Sequence, residues 1–349
     1  MPISLEGNRM NFLKDDEFII FMAHNAQRTS DSGDTYRVHT LEERSRMREA
    51  GIQTAHEQPA WNILEPSRGS YNFAYLDNII SLNREAGMKS LVQIAGWRIP
   101  TWIPHEWKAK RKDGVVETEV LSMWNDEAQE YSDAFYERMI NEYKNQKDVM
   151  FFFGEYQGGE GAYPPTWCLY DDAALENYKR IYGASAEPKP GDPETLGWFG
   201  GMIVDHFIRK AYYFHTAYNE IWNEQQYLMD TWTKAFGNFR QADTLELFHR
   251  VWPESNIVLL QYTYFDSSHN DACKEFVDKL VKASECEVIV EAMFYSGLPT
   301  TTPQAIAKGF RGQILHPTKE SFSGEALCDE AINNIKNSHK MWMESREFE

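Results

Sequence analysis

The stretch REAGMKSLVQI, residues 84–94, joins the end of one predicted helix to the strand that follows it. Gly87 stands where the helix ends, because glycine closes helices in the left-handed conformation without a steric penalty. The stretch Arg48-Glu49-Ala50-Gly51-Ile52 repeats this pattern 36 residues earlier, again directly before a predicted strand. That spacing is the length of one strand-plus-helix unit. The two stretches therefore predict a fold built from repeated units of this kind.

Working outward, short uninterrupted apolar runs predict strands that are buried on both faces, as in a parallel sheet. We predict eight strands, several of them such runs, at residues 18–23, 53–57, 90–95, 149–153, within 226–232, and at 256–262, 287–292 and 312–315. Helices are predicted after a capping box at Thr40 and Glu43, over 73–86, after Asn125, over 199–223 and over 323–342.

Eight strands that alternate with helices predict a closed parallel (β/α)8 TIM barrel. The alternative, an open doubly wound sheet, usually carries a glycine-rich phosphate loop after its first strand, but this chain has His24-Asn25-Ala26-Gln27-Arg28 there. A barrel needs about 250 residues. The chain has 349, so we predict one domain over 1–349 with long loops and an irregular Gly/Pro-rich insertion after strand four, at about 157–197.

The composition limits the partners and the location. The formal charge of −18 disfavours nucleic acid and anionic membranes, and nothing in the sequence implies a cofactor. The oligomeric state is not indicated. The four cysteines lack metal-ligand spacing, which favours reduced thiols and leaves one disulfide open. The N-terminus lacks the basic and apolar regions of a signal peptide, which favours a cytoplasmic location.

Catalytic residues of a barrel lie at the carboxyl ends of its strands. Glu155 and Glu291 end the two most apolar of these strands, where a carboxylate is costly to desolvate unless it is used. Hydrolysis of a glycosidic bond requires two such groups, one to protonate the leaving oxygen and one to attack carbon or activate water. These residues predict a glycoside hydrolase. A carbohydrate-binding barrel without activity, or an inverting glycosidase that uses the same carboxylates, remains an alternative.

The front half of the chain resembles glycoside hydrolase families 42 and 35, the β-galactosidase-type barrels of the large clan of retaining (β/α)8 glycosidases. The resemblance rests on WNILEPSRGSYNF, residues 61–73, which matches their W-x-x-x-E-P-x-x-G-x-Y-x-F segment, and covers residues 47–157 most specifically. It implies that Glu155 is the acid/base and Glu291 the nucleophile. Gly154 replaces the asparagine that usually precedes the acid/base, so the resemblance does not fix the sugar. Glu65, inside the segment, is expected to be structural.

Other polar and aromatic residues near the strand ends are predicted to bind the sugar, because indole and phenol rings cover the C–H faces of sugar rings. They are Asn25, Glu57, Gln93, Trp97, Arg98, Trp102, Tyr156, Trp167, Tyr262, Tyr264 and His316. Trp107 and Trp124 lie in the same loops and either bind sugar or pack them together. The basic cluster Arg98, Lys108, Lys110, Arg111 and Lys112 is either a solvated loop or a contact for an acidic or sulfated sugar. A metal-dependent hydrolase is disfavoured, because His24 lacks a second histidine two residues away.

Overall fold

The structure, a computed structural model, describes residues 18–23, 38–57, 59–94, 99–143, 145–153, 170–189, 192, 194–195, 198, 228–230, 257–260, 287–292, 295–315 and 328–346. Its strands are β1 Ile19–Ala23, β2 Thr54–Glu57, β3 Lys89–Ile94, β4 Lys108–Lys110, β5 Val116–Leu121, β6 Val149–Phe153, β7 Leu228–Asp230, β8 Ile257–Leu260, β9 Glu287–Ala292 and β10 Gly312–Leu315. Its α-helices are α1 Leu41–Glu49, α2 Trp61–Leu64, α3 Ala74–Glu85, α4 Asp126–Tyr143, α5 Asp172–Tyr182, α6 Leu298–Ala307 and α7 Asp329–Arg346.

Eight of the strands form a closed barrel in which every neighbouring pair is parallel. Their order is β1, β2, β3, β6, β7, β8, β9 and β10, and the pairing of β1 with β10 completes the ring. The fourth strand of the barrel is therefore β6 and the seventh is β9. The remaining two strands, β4 and β5, form a separate antiparallel hairpin between β3 and α4.

The local signals read from the sequence are present in the structure. Thr40 and Glu43 form the predicted capping box of α1, and the side chain of Asn125 accepts a hydrogen bond from Ala128 at the start of α4. Gly51 and Gly87 follow α1 and α3 with φ angles of 109° and 75°, a region that favours glycine. The repeated helix endings therefore have the same backbone basis in both units.

Five elements differ from the prediction. The helices α2 and α6 lie in stretches where no helix was predicted. The hairpin β4–β5 lies in what was predicted as a loop, since its strands lack an apolar run. The helix α5 occupies residues 172–182 of the stretch predicted to be irregular, with Asp171 as its N-cap. The last helix, α7, continues to Arg346, four residues past the predicted end at Trp342. The helix predicted over 199–223 lies outside the described residues.

The main described core lies between the sheet and the helices that follow β2 and β3. Trp61, Leu76, Val92 and Phe135 belong to one continuous cluster of buried side chains. The ring of Trp61 stacks on that of Phe135 with centroids 4.5 Å apart, which joins α2 to α4. This packing fixes the segments that follow β2 and β3, and these segments lie at the carboxyl end of the barrel.

Candidate active site

Glu291 lies in β9, one residue before the carboxyl end of that strand. It is paired in register with Ile314 of β10. The preceding residue of β10, Gln313, contacts the helices, because its side-chain oxygen accepts hydrogen bonds from Thr302 on α6 and Trp342 on α7. Since successive residues of a strand alternate between faces, Ile314 and Glu291 occupy positions on the inner face of the barrel.

Gln93 belongs to the same face by the same reasoning. Ser90 of β3 accepts a hydrogen bond from the Asn83 side chain on α3 at 2.9 Å, so Ser90 lies on the outer face. Three residues later, Gln93 falls on the inner face, where it is paired with Phe152 of β6. The register therefore brings Gln93 and Glu291 to the inner surface of one barrel.

The other candidate catalytic residue, Glu155, lies two residues beyond Phe153, the last residue of β6, and outside the described residues. Eight predicted substrate-binding residues lie outside them as well: Asn25, Trp97, Arg98, Tyr156, Trp167, Tyr262, Tyr264 and His316. Their roles stay predictions.

The prediction for Glu57 requires a correction. Its carboxylate is fully buried on the outer face of β2, where Oε1 accepts hydrogen bonds from Arg44 on α1 at 2.8 Å and from Asn83 on α3 at 2.7 Å. Arg44 also donates to the Asn83 side chain. Glu57 therefore holds two helices against the sheet and lies away from the mouth of the barrel. A buried carboxylate needs a cationic partner, and Arg44 supplies it. Contact with a substrate is therefore not needed to explain the burial of Glu57.

His56 is the residue of β2 that occupies the inner face. It is fully buried and is paired with Met22 of β1 and Leu91 of β3. The sequence placed His56 and Glu57 together at the end of this strand, and the alternation of faces separates them. A strand buried on both faces gives no polar–apolar alternation from which that choice could be made.

Glu65 is the centre of a buried hydrogen-bond network behind the candidate site. Its carboxylate accepts from the Trp61 indole at 2.8 Å, from the Gly69 backbone at 2.7 Å and from the Tyr131 hydroxyl at 2.5 Å. Its backbone oxygen accepts from the Trp102 indole at 3.0 Å. Burial and the bond to Glu65 raise the pKa of Tyr131 well above its usual value, so Tyr131 is a stable donor. The expectation that Glu65 is structural agrees with these contacts.

The tryptophans of these loops divide into two groups. Trp107 and Trp124 are buried, and Trp124 stacks on Trp198 with centroids 4.6 Å apart. Trp102 is only partly buried, with its ring edge against Tyr131 at 5.2 Å. Packing therefore accounts for Trp107 and Trp124, and Trp102 remains a candidate for contact with a sugar.

A second buried polar group joins the hairpin to α4 and α5. Asp171 accepts hydrogen bonds from Ser122 at 2.8 Å and from the backbone of Ala174 at 3.0 Å, both through Oδ1. Among the described residues, its buried Oδ2 atom has no hydrogen-bond partner, and neither has Oε1 of Gln129, whose amide donates to the Ser122 carbonyl. Burial raises the pKa of Asp171 despite the two bonds it accepts.

Within the described part of the chain, no group of three or more His, Cys, Asp or Glu side chains is arranged to hold a metal ion. Among the same residues, no helix is long and apolar enough to cross a membrane.

A closed parallel barrel with a glutamate on the inner face of its seventh strand, and another following its fourth, is the architecture of barrel glycoside hydrolases. The family comparison agrees. Residues 35–308 match the model of glycoside hydrolase family 42, described as β-galactosidase. The chain belongs to this family and is a glycoside hydrolase.

Solved structures share the fold at low sequence identity. The catalytic domain of a β-amylase from Paenibacillus polymyxa superposes with a TM-score of 0.70 at 12% identity, covering 93% of this chain and 98% of that one. A β-galactosidase from the haloarchaeon Halorubrum lacusprofundi gives 0.63 at 14% identity, covering 93% and 58%. One from Bacillus circulans sp. alkalophilus gives 0.65 at 10% identity, covering 95% and 56%. The chain thus spans little more than half of these two β-galactosidases. No curated protein sequence matches it significantly.

Proposed function

We propose that this protein cleaves a β-linked glycosidic bond of an oligo- or polysaccharide by a retaining double displacement, with Glu291 as nucleophile and Glu155 as acid/base. The observation that carries the proposal is the register of β9, which assigns Glu291 to the inner face near the carboxyl end of the seventh barrel strand. The match to family 42 spans both glutamates, which supports the pairing.

Each of the two steps breaks one bond to the anomeric carbon and forms another. In the first, a Glu291 oxygen attacks the anomeric carbon while the glycosidic bond breaks and Glu155 gives its proton to the departing oxygen, which leaves a glycosyl ester on Glu291. In the second, Glu155 takes a proton from water, the water oxygen attacks the same carbon and the ester bond breaks. Two inversions give net retention. This chemistry requires the two carboxyl groups to lie about 5 Å apart.

Sugar binding is assigned to residues around this pair. Gln93 is proposed as a hydrogen-bonding partner, because its register position shares the inner face with that of Glu291. Trp102 is proposed as part of the rim, because it is partly exposed in the segment after β3. The residues outside the described part of the chain keep their predicted roles. We also propose that residues 1–349 form one domain with an insertion at about 157–197, which contains α5.

The test uses aryl β-glycosides, beginning with the β-galactoside that the family description suggests. Glu155→Gln and Glu291→Gln should each lower kcat by at least about a thousandfold, because each removes a group that acts in the transition state. Glu287→Gln is the matched control, since Glu287 is the same residue type at the opposite end of the same strand. It should retain near-normal turnover, and circular dichroism should show all three variants folded.

The stereochemistry of the product separates the proposed mechanism from the alternatives. With the wild-type enzyme, NMR during the first turnovers should show the β-anomer of the released sugar. Azide should rescue Glu291→Gly with formation of the α-glycosyl azide, and Glu155→Gly with formation of the β-glycosyl azide. Release of the α-anomer by the wild type would establish an inverting enzyme. Binding of glycans without turnover would establish a carbohydrate-binding barrel.

A further inference from the structure

Arg68 lies on the surface of the segment after β2, with its guanidinium over two aromatic rings. Its guanidinium carbon is 5.2 Å from the centroid of Tyr131 and 5.7 Å from that of Trp107. The side chain is exposed, and the same Tyr131 ring receives the edge of Trp102. A guanidinium over an aromatic ring keeps its N–H donors, so the exposed Arg68 side chain has donors to offer to an incoming anion.

The hairpin adds two further cations, which follow Trp107 in the chain. Lys108 directly follows Trp107, and Lys108 and Lys110 flank the fully buried Ala109 in β4, so both lie on the less buried face of that strand. Among the described residues, no carboxylate lies within 4 Å of the charged groups of Arg68, Lys108 or Lys110. Nearby acidic groups have other contacts, since Asp113 pairs with Arg111 and Glu127 accepts from the Trp107 indole.

These cations stand in a chain in which acidic residues outnumber basic ones by 53 to 35. Some exposed or partly exposed arginines have carboxylate partners, as in the pairs Arg84–Asp148 and Arg138–Glu142. Arg68 and the two lysines of the hairpin follow β2 and β3, two neighbouring strands, on the side of the barrel where the substrate is expected to bind.

We propose that Arg68, together with Lys108 and Lys110, forms a subsite for an anionic substituent of the glycan, a sulfate ester or a uronate carboxylate. The inference rests on the proposed function for its location and names the class of substrate. The guanidinium of Arg68 donates two parallel hydrogen bonds to the oxygens of the anion, and the partly exposed ring of Trp102 lies beside the sugar that carries it. The two ammonium groups attract the anion at longer range.

Binding can be tested without any hydrolysis, so failure of this proposal is distinguishable from failure of the catalytic assignment. Calorimetry would compare three probes with the Glu155→Gln/Glu291→Gln protein, in which hydrolysis does not contribute to the heat: a neutral galacto-oligosaccharide, its sulfated counterpart and a galacturonate oligosaccharide. We expect at least one anionic probe to bind about tenfold more tightly than the neutral one. Its affinity should fall between about 50 mM and about 500 mM NaCl, because salt screens exposed charges. The anionic probe that binds more tightly identifies the substituent.

Variants then assign the contact. Arg68→Gln should reduce the preference for the anionic probe about tenfold, and Arg68→Lys should restore only part of it, since an ammonium lacks the planar fork. Lys108→Gln/Lys110→Gln should weaken its salt dependence. The charge-matched controls are Lys147→Gln for Arg68→Gln and Lys147→Gln/Lys336→Gln for the double variant, since both lysines are exposed and lie away from the hairpin.

Two results would overturn the subsite. One is that neither anionic probe binds more tightly than the neutral one. The other is that the control Lys147→Gln loses the preference as strongly as Arg68→Gln, which would indicate a general charge effect. If Lys108→Gln/Lys110→Gln left the salt dependence unchanged, the hairpin would have no part in the subsite.

Discussion

Tyr131 on α4 donates a hydrogen bond of 2.5 Å to Oε1 of Glu65, which lies 66 positions earlier in the segment after β2. The same carboxylate also binds Trp61 and Gly69, and the Glu65 backbone binds Trp102 in the segment after β3. One buried residue thereby connects two loops and a helix at the end of the barrel where the substrate is expected.

Replacing Glu65 by glutamine should destabilise the fold strongly. An amide nitrogen cannot accept the bonds that one carboxylate oxygen accepts, so at least one buried donor loses its partner. We expect a loss of about 3 kcal/mol in the free energy of unfolding, measured by urea titration. Glu127→Gln is the control, because the exposed Glu127 accepts one longer bond, 3.3 Å from Trp107. Equal losses in the two variants would contradict the central position of Glu65.

Arg44→Met should lower the free energy of unfolding more than the surface change Arg46→Met. The change leaves the buried Glu57 carboxylate without its cation, which costs about 3–5 kcal/mol when a buried pair is broken. Arg46→Met, two residues away on α1, removes a pair whose partner Asp329 is 93% exposed, and should cost less than about 1 kcal/mol. Thermal and urea unfolding would measure both. A loss below about 1 kcal/mol for Arg44→Met would show that Glu57 does not need its partner.

Asp171→Asn should change how stability depends on pH. Because the pKa of Asp171 is raised in the folded state above its unfolded value of 3.8, the folded protein holds a proton that the unfolded chain has lost. Wild-type stability from this group therefore falls as the pH rises from about 3.8 through the folded pKa. Asparagine keeps the N-cap and does not titrate. The free energy of unfolding of the variant should therefore rise relative to that of the wild type across this pH range.

Subtracting the stability of the wild type from that of Asp171→Asn removes the contribution of Asp148, which depends on pH in the opposite direction. Although burial raises the pKa of Asp148, hydrogen bonds and charge from Arg84 lower it overall, so its stabilisation is lost as the pH falls. That contribution is common to both proteins and cancels in their difference. Unfolding curves measured from about pH 3 to pH 8 should diverge with rising pH, and parallel curves would contradict the prediction.

Gly51→Ala should be worse than Gly87→Ala, although the two glycines are equivalent in the internal repeat. Both have positive φ, so either alanine incurs about 1 kcal/mol of backbone strain. At Gly51 the added Cβ would also lie 2.5 Å from the His339 ring of α7, whereas at Gly87 the nearest atom is 3.8 Å away. Melting temperatures would measure the difference. Equal shifts in melting temperature would mean that α7 can move away from the added Cβ without loss of stability.

Several barrel strands could be predicted because they contain an uninterrupted apolar run of the kind that a doubly covered parallel sheet requires. Val149–Phe153 and Glu287–Ala292 were predicted to the residue. The hairpin was missed, since Lys108, Lys110, Glu117 and Glu119 interrupt any apolar pattern in its strands. The α5 helix was missed because Gly and Pro on both sides of it outweighed its own signals, although Asp171 is a recognisable N-cap.

At the candidate site, the sequence did not show which face of a strand a polar residue occupies. Glu57 and His56 are adjacent, polar and fully buried, and only the pairing of β2 with its neighbours shows which of them lies on the inner face. Glu65, by contrast, could be assigned correctly from the resemblance because its segment has a fixed spacing. The contact between Arg68 and the rings of Tyr131 and Trp107 joins three separate segments, so no local pattern reveals it.

The network around Glu65 has a consequence for how this enzyme can diverge. Two loops that share one buried residue, Glu65, cannot change length or direction independently, because a shift in either would break hydrogen bonds that hold the other. New substrate preferences must therefore arise at positions that project from the shared anchor, such as the turn at residues 66–70 and the tip of the hairpin at 112–115. Variation between related chains should be concentrated there, while Trp61, Glu65 and Tyr131 change together or not at all.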